Sequence, residues 1–119
     1  MKKIISKNYL DKVPAKPQSI AWKENSKGLI TLEIENKGIA NKIAQMLFKK
    51  PKTSYIHLDK MGSFIWKNID GELKIYDIGN IVGENFGDEA NPLFERLAIF
   101  FKIMDSYSFV AWAKEKTVR

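Results

Sequence analysis

Residues 58–71 read Leu58-Asp59-Lys60-Met61-Gly62-Ser63-Phe64-Ile65-Trp66-Lys67-Asn68-Ile69-Asp70-Gly71, and this stretch decides the fold. An alternating run ends at Leu58, and Asp59 stands where a side-chain oxygen can cap a helix. Met61, Ile65 and Ile69 then recur at helical spacing, with Gly62 and Trp66 in a second row beside them. Asp70-Gly71 predicts the stop, because glycine takes the left-handed conformation at little cost and aspartate supports local turns. A strand thus feeds directly into a capped amphipathic helix.

On the N-terminal side, residues 52–58 alternate as a third strand, with Ile56 and Leu58 inward and Tyr55 and His57 outward. Before it, Ile39, Ala40, Ile43, Ala44 and Leu47 fall at helical spacing, with Lys42, Gln45 and Lys49 outside and Pro51 closing the segment. Residues 29–35 alternate cleanly, Ile30, Leu32 and Ile34 facing one way and Thr31, Glu33 and Glu35 the other. Ile20 and Trp22 mark a shorter strand ahead of them. Asn25-Ser26-Lys27-Gly28 is the turn between, with Gly28 suited to positive φ, so the two strands form a hairpin. Residues 1–19 carry Lys2, Lys3, Lys7, Lys12, Lys16, Pro14 and Pro17 with few apolar anchors. They read as a basic arm, with Tyr9, Leu10 and Val13 as the residues able to tack it to the domain surface.

On the C-terminal side, Leu73-Lys74-Ile75 reads as a short extended link, and Asp77 as the cap of a helix striped with Ile78, Ile81, Val82 and Phe86. Residues 87–92 form a loop that puts Pro92 at the first position of another helix. That helix, Leu93–Ser106, carries Phe94, Leu97, Ala98, Phe101 and Met104 on one face, widened by Leu93, Phe100 and Ile103. Residues 109–113 are an apolar extension of the sheet or the bundle, and 114–119 a polar tail. Gly79, Gly83 and Gly87 recur every four residues, a spacing for close helix packing or local weakness rather than for a phosphate loop. The fold class is therefore α+β: a three-stranded antiparallel sheet, then a three-helix bundle, with an extra helix between strands two and three. The last two helices have a helix-turn-helix outline. The division expected is a basic arm at 1–19, a domain at 20–113 and a tail at 114–119.

At 119 residues, with 45% hydrophobic and 29% charged residues, the chain has the balance of one globular domain. It has no cysteine, which excludes disulfides, thiol nucleophiles and thiolate metal sites. Ile4-Ile5 is too short for a signal-peptide core and no later apolar run could cross a membrane, which predicts a cytoplasmic protein. Residues 1–60 hold 13 Lys/Arg against 5 Asp/Glu, a net of +8; residues 61–119 hold 7 against 9, a net of −2. The basic half attracts anionic partners, although surface lysine also serves solubility.

Catalysis has little to work with. His57 is the only histidine, and it would share a face with Asp59 only if the strand ran past the expected cap, so His57 reads as a surface or interface residue. No catalytic residue, metal or cofactor is expected. DNA binding, as a winged-helix regulator, is the alternative suggested by the helix-turn-helix outline. Charge opposes it: Arg96 and Lys102 on Leu93–Ser106 are balanced by Glu95 and Asp105, and the preceding helix has Asp77 and Glu84 without a Lys or Arg.

The pattern Leu58-Asp59-x-x-Gly62-x-x-x-Trp66-x-x-Ile69-Asp70-Gly71 resembles the PqqD family, small proteins of ribosomal-peptide modification systems, and the resemblance runs through residues 20–112. It implies a winged-helix-like fold that binds the leader of a precursor peptide and presents it to a radical S-adenosylmethionine maturase. In that family the leader pairs with the third strand and lies against the third helix. Carried onto this chain, Ser54, Tyr55, Ile56, His57 and Leu58 offer the strand edge, and Leu93, Arg96, Leu97, Phe100 and Phe101 the wall, Arg96 meeting a leader carboxylate. An exposed sheet edge accepts an added strand on physical grounds as well, and it equally allows a homodimer through that edge. The chain departs from the family at Asp59, where Asn is common, and at Ser108, where a glycine usually precedes the final apolar pair. The helix at residues 39–49 is extra to the family plan and could instead hold a protein partner.

Overall fold

The computed structural model describes residues 7–35 and 53–113, so the helix expected at 39–49, the first residues of the arm and the polar tail lie outside the described residues. In chain order the elements are α1 (Lys7–Leu10), β1 (Pro14–Ala15), β2 (Ala21–Glu24), β3 (Ile30–Glu35), β4 (Thr53–His57), α2 (Lys60–Lys67), α3 (Ile75–Phe86), a 3₁₀ turn (Gly87–Ala90), α4 (Leu93–Ser106) and β5 (Ala111–Trp112). They divide into two compact units, residues 18–63 and residues 7–17 with 64–113. The architecture is α+β, with a three-stranded antiparallel sheet and several helices, as expected.

The first unit holds the sheet, ordered β2-β3-β4. Asn25 makes the hairpin turn: its Oδ1 accepts the amides of Lys27 at 2.8 Å and Leu29 at 2.9 Å, and Gly28 takes φ +81°. Alternation along β3 buries Ile30 and Leu32 completely, and Ile20 is buried just before β2. Trp22, Leu32 and Ile56 are register partners across the three strands, so they share a face. The outer two are less covered than the alternation predicted. Trp22 is 39% exposed, and Ile56, expected inward, is 37% exposed. The reason is position: among the described residues β2 and β4 each have a strand neighbour on one side only.

Asp59 caps α2 as expected, its Oδ1 accepting the Gly62 amide at 2.7 Å. The helix closes at Lys67, three residues short of Asp70, as its end tightens into i→i+3 bonds from Asn68 to Ile65 and from Ile69 to Trp66. Asp70-Gly71 then turns the chain. Asp70 Oδ1 accepts the amides of Glu72 at 2.8 Å and Leu73 at 2.9 Å, and Gly71 adopts φ +80°. Those two amides, more than the Lys16 ammonium, hold the Asp70 carboxyl below its usual range.

The second unit corrects the reading of the N-terminal arm. β1 pairs antiparallel with β5 as a separate two-stranded sheet, so residues 109–113 extend neither the main sheet nor the bundle. The segment is held on both sides: Lys12 and Pro14 carbonyls accept the Ile75 amide at 2.9 Å and the Gly71 amide at 3.2 Å, while Val13 O accepts the Ala113 amide at 2.8 Å. Pro14 is fully buried. Residues 7–17 are thus part of the folded unit, joined by backbone bonds that a reading based on apolar anchors does not register.

α3 begins at Ile75, earlier than expected, and Asp77 is not its cap but its third residue, with Oδ2 accepting the Lys74 amide at 3.1 Å. Ile75, Ile78, Gly79 and Val82 are its buried stripe. Pro92 stands just before α4 rather than inside it. A Cβ on Gly79 would run into the Phe94 ring and lie 2.9 Å from Leu97, and one on Gly83 would lie 3.2 Å from Leu93, so these two glycines serve close packing of α3 on α4, whereas Gly87, at φ +59° with open space around it, ends α3. α4 ends in a Schellman motif: Phe109 N bonds to Met104 O at 2.8 Å and Ser108 N to Asp105 O at 3.0 Å. Ser108 sits at φ +62°, the left-handed position that a glycine normally fills.

Candidate functional site

The strand β4 reads Thr-Ser-Tyr-Ile-His, β-branched and aromatic residues that favour a pleated, half-covered surface. Its register with β3 pairs Thr31 with His57, Leu32 with Ile56, Glu33 with Tyr55 and Ile34 with Ser54. The Leu58 amide donates to the Ile30 carbonyl at 2.9 Å, which sets the phase of the ladder. Antiparallel partners alternate between bonded and non-bonded pairs, so Ser54, Ile56 and Leu58 bond inward to β3. The backbone N–H and C=O of Tyr55 and His57 point away from it, along a side where no strand of the described residues pairs. Their side chains, on the face opposite Ile56, are exposed, Tyr55 at 58%.

Two polar contacts order that outer face. Thr31 Oγ1 lies 2.9 Å from His57 Nδ1, and Lys23 Nζ lies 3.3 Å from the Glu33 carboxylate. The Lys23–Glu33 pair is well exposed on the lysine side and contributes little to stability. At the far end, Ser63 closes β4 onto the start of β3: its hydroxyl accepts the Ile30 amide at 2.8 Å and donates to the Leu58 carbonyl at 3.2 Å. Among the described residues Ser63 is the buried polar one of this unit, 1% exposed, and the Leu58-to-Gly71 pattern gave no sign of its role.

The five residues expected on the wall belong to α4, in the other unit. Leu97 and Phe101 are 1% and 0% exposed and are core, which removes them as contact residues. Leu93 is half-buried against Gly83, and Phe100 is half-buried with its ring edge-on to Phe101 at 5.3 Å. Arg96 is exposed, but its Nη1 donates to the Glu89 carbonyl at 2.7 Å, tying it to the 3₁₀ turn. The open apolar row of α4 is Ile99 and Ile103, at 47% and 53%, continued by Tyr107. Of these only Ile103 figured in the apolar pattern; the four-residue spacing of Ile99 and Ile103 was the available signal for the rest.

A second polar and aromatic cluster lies within the helical unit. Lys12 Nζ stands 4.5 Å from the Trp112 ring centroid and 5.3 Å from that of Tyr9, and Trp112 Nε1 donates to Asp105 at 3.1 Å. Partial burial, with the Asp105 charge adding to it, pushes the Tyr9 hydroxyl up to about 12. An open cleft of about 380 Å³ beside the cluster is lined by Asn8, Asp11, Lys12, Val13, Trp112 and Ala113. Lys16 donates to the Ile69 carbonyl at 2.5 Å, and partial burial lowers its pKa despite the favourable field of Asp70. Among the described residues no three His, Asp or Glu side chains gather as metal ligands, and no helix is long and apolar enough to cross a membrane.

No protein-family model matches the chain, and neither a curated protein nor a solved structure is significantly similar to it.

Proposed function

We propose that this chain is a non-enzymatic, winged-helix-like peptide-binding module. It takes the leader of a ribosomally made precursor peptide as an added strand on β4 and presents it to a modifying enzyme, by the PqqD resemblance a radical S-adenosylmethionine maturase. The observation that carries the reading is the outward backbone of Tyr55 and His57 on an edge strand, two N–H and two C=O groups spaced as a template for an extended chain. Leu97 and Phe101 of α4 are core, so the reading rests on the β4 edge and not on the residues expected along α4. The basic N-terminal half favours an acidic leader. Holding substrate near the enzyme raises its effective concentration, which accelerates modification without any catalytic group on this chain. The DNA-binding alternative is less well supported, since Arg96 is engaged by Glu89 and the net charge of α4 is zero.

Short peptides encoded beside the gene, titrated calorimetrically against the protein, test the proposal. One of them should bind with a Kd around micromolar, the range for a short added strand with a few side-chain contacts. Tyr55→Pro removes an outward N–H that β3 does not use, so it should abolish binding while the fold persists. Undiminished binding by that variant would exclude β4 as the receiving edge.

A further inference from the structure

The alternation that turns the Tyr55 and His57 backbones outward also fixes what stands between them. Ile56 pairs with Leu32, so its side chain lies on the sheet face that buries Leu32, yet it remains 37% exposed at the edge. We infer that Ile56 is the specificity-determining residue of this edge: the bound peptide carries an apolar side chain directly opposite Ile56, between two residues whose backbones pair with Tyr55 and His57. The inference rests on the proposed strand addition at β4 and names the peptide it selects, an extended polar–apolar–polar segment.

The geometry of an antiparallel ladder supplies the reason. A peptide running antiparallel to β4 forms bonded pairs with Tyr55 and His57, which places the residue opposite Ile56 in a non-bonded pair. There the two Cα atoms approach to about 4.5 Å and the side chains are closest. An apolar side chain at that point covers Ile56, whereas a polar one loses water without gaining a partner. The flanking peptide residues fall on the other face, beside the exposed Tyr55 side chain and the His57 ring with its Thr31 contact, a surface that suits polar groups. A slip of one residue would put a polar side chain against Ile56 and an apolar one into solvent, so this contact also sets the register.

Displayed random heptapeptides selected on the full chain and on Ile56→Lys test this. Ile56 is an exposed edge residue, so the variant should fold, and its circular dichroism checks that it does. Binders of the unmodified protein should align on one position filled by Val, Ile, Leu or Phe, and a synthetic binder with Ser there should bind about five- to tenfold more weakly. On Ile56→Lys the same position should turn to Asp or Glu, a switch that a purely structural role for Ile56 would not produce. Binders that shift the Tyr55 and His57 amide resonances but share no apolar position, or that keep it unchanged on Ile56→Lys, would overturn the inference and leave strand addition standing. Binders that move neither amide, or concentration-dependent shifts of both without peptide, would remove the peptide from this edge and the inference with it.

Discussion

The Ser63 hydroxyl accepts the Ile30 amide at 2.8 Å, the bond that the β3–β4 ladder would otherwise make with the Leu58 carbonyl. By donating onward to that same carbonyl, Ser63 bridges the two strands and fixes where β4 ends and α2 begins.

Ser63→Ala should therefore be costly for a small change. It leaves the Ile30 amide and the Leu58 carbonyl without their bridging partner at a buried position, which costs about 1–3 kcal/mol. Urea unfolding of the variant measures the loss; a change under about 0.5 kcal/mol would mean that water or a shifted backbone replaces the hydroxyl.

Gly79→Ala sets two effects against each other. Alanine gains up to about 1 kcal/mol of helix propensity, but its Cβ would collide with the Phe94 ring and press on Leu97. The Phe94 ring is stacked on Tyr76 at 5.5 Å, and Leu97 is core, so neither yields freely. Net destabilisation of about 1–2 kcal/mol is expected. Gly83→Ala, whose nearest neighbour is the flexible end of Leu93 at 3.2 Å, should be close to neutral. Equal effects in thermal unfolding would contradict the packing described.

Ser108→Gly should stabilise the protein. A side chain at φ +62° costs about 1 kcal/mol that glycine avoids, offset in part by the freedom glycine has when unfolded. A gain of about 0.5 kcal/mol in chemical unfolding is expected, and a loss would mean that the serine hydroxyl carries a compensating bond.

Tyr9 gives a pH dependence with a definite sign. Its pKa is about 12 in the fold, raised first by burial and then by Asp105, against 10.0 as the ordinary value. Between those values the unfolded chain has released the proton and the folded one retains it, so the Tyr9 contribution to stability falls as pH rises through that window. Unfolding of the unmodified protein should steepen above pH 10 relative to Tyr9→Phe, which lacks the proton; parallel profiles would place Tyr9 in solvent.

How far the sequence determined this picture differs from element to element. The strand into Asp59, the capped helix, the Asp70-Gly71 turn (though not the earlier close of α2 at Lys67), the Gly28 turn and the bounds of α4 were legible because each depends on local chemistry: a cap, a positive φ, an apolar period. What local pattern missed was decided by long-range backbone pairing. The Lys12, Val13 and Pro14 carbonyls receive amides from Ile75, Ala113 and Gly71, and no feature of residues 7–17 announces those distant partners. Ile56 alternates as an inward residue and does face inward, but position at the edge leaves it open. Leu97 and Phe101 match an apolar wall as well as a core, and burial alone separates the two.

Amide resonances of Tyr55 and His57, followed while a peptide encoded beside the gene is titrated into labelled protein, test the central claim most directly. Strand addition at β4 predicts that both amides shift together and become protected from hydrogen exchange, while the Ile56 amide, bonded toward β3, keeps its protection. Tight binding with unchanged Tyr55 and His57 amides would contradict it.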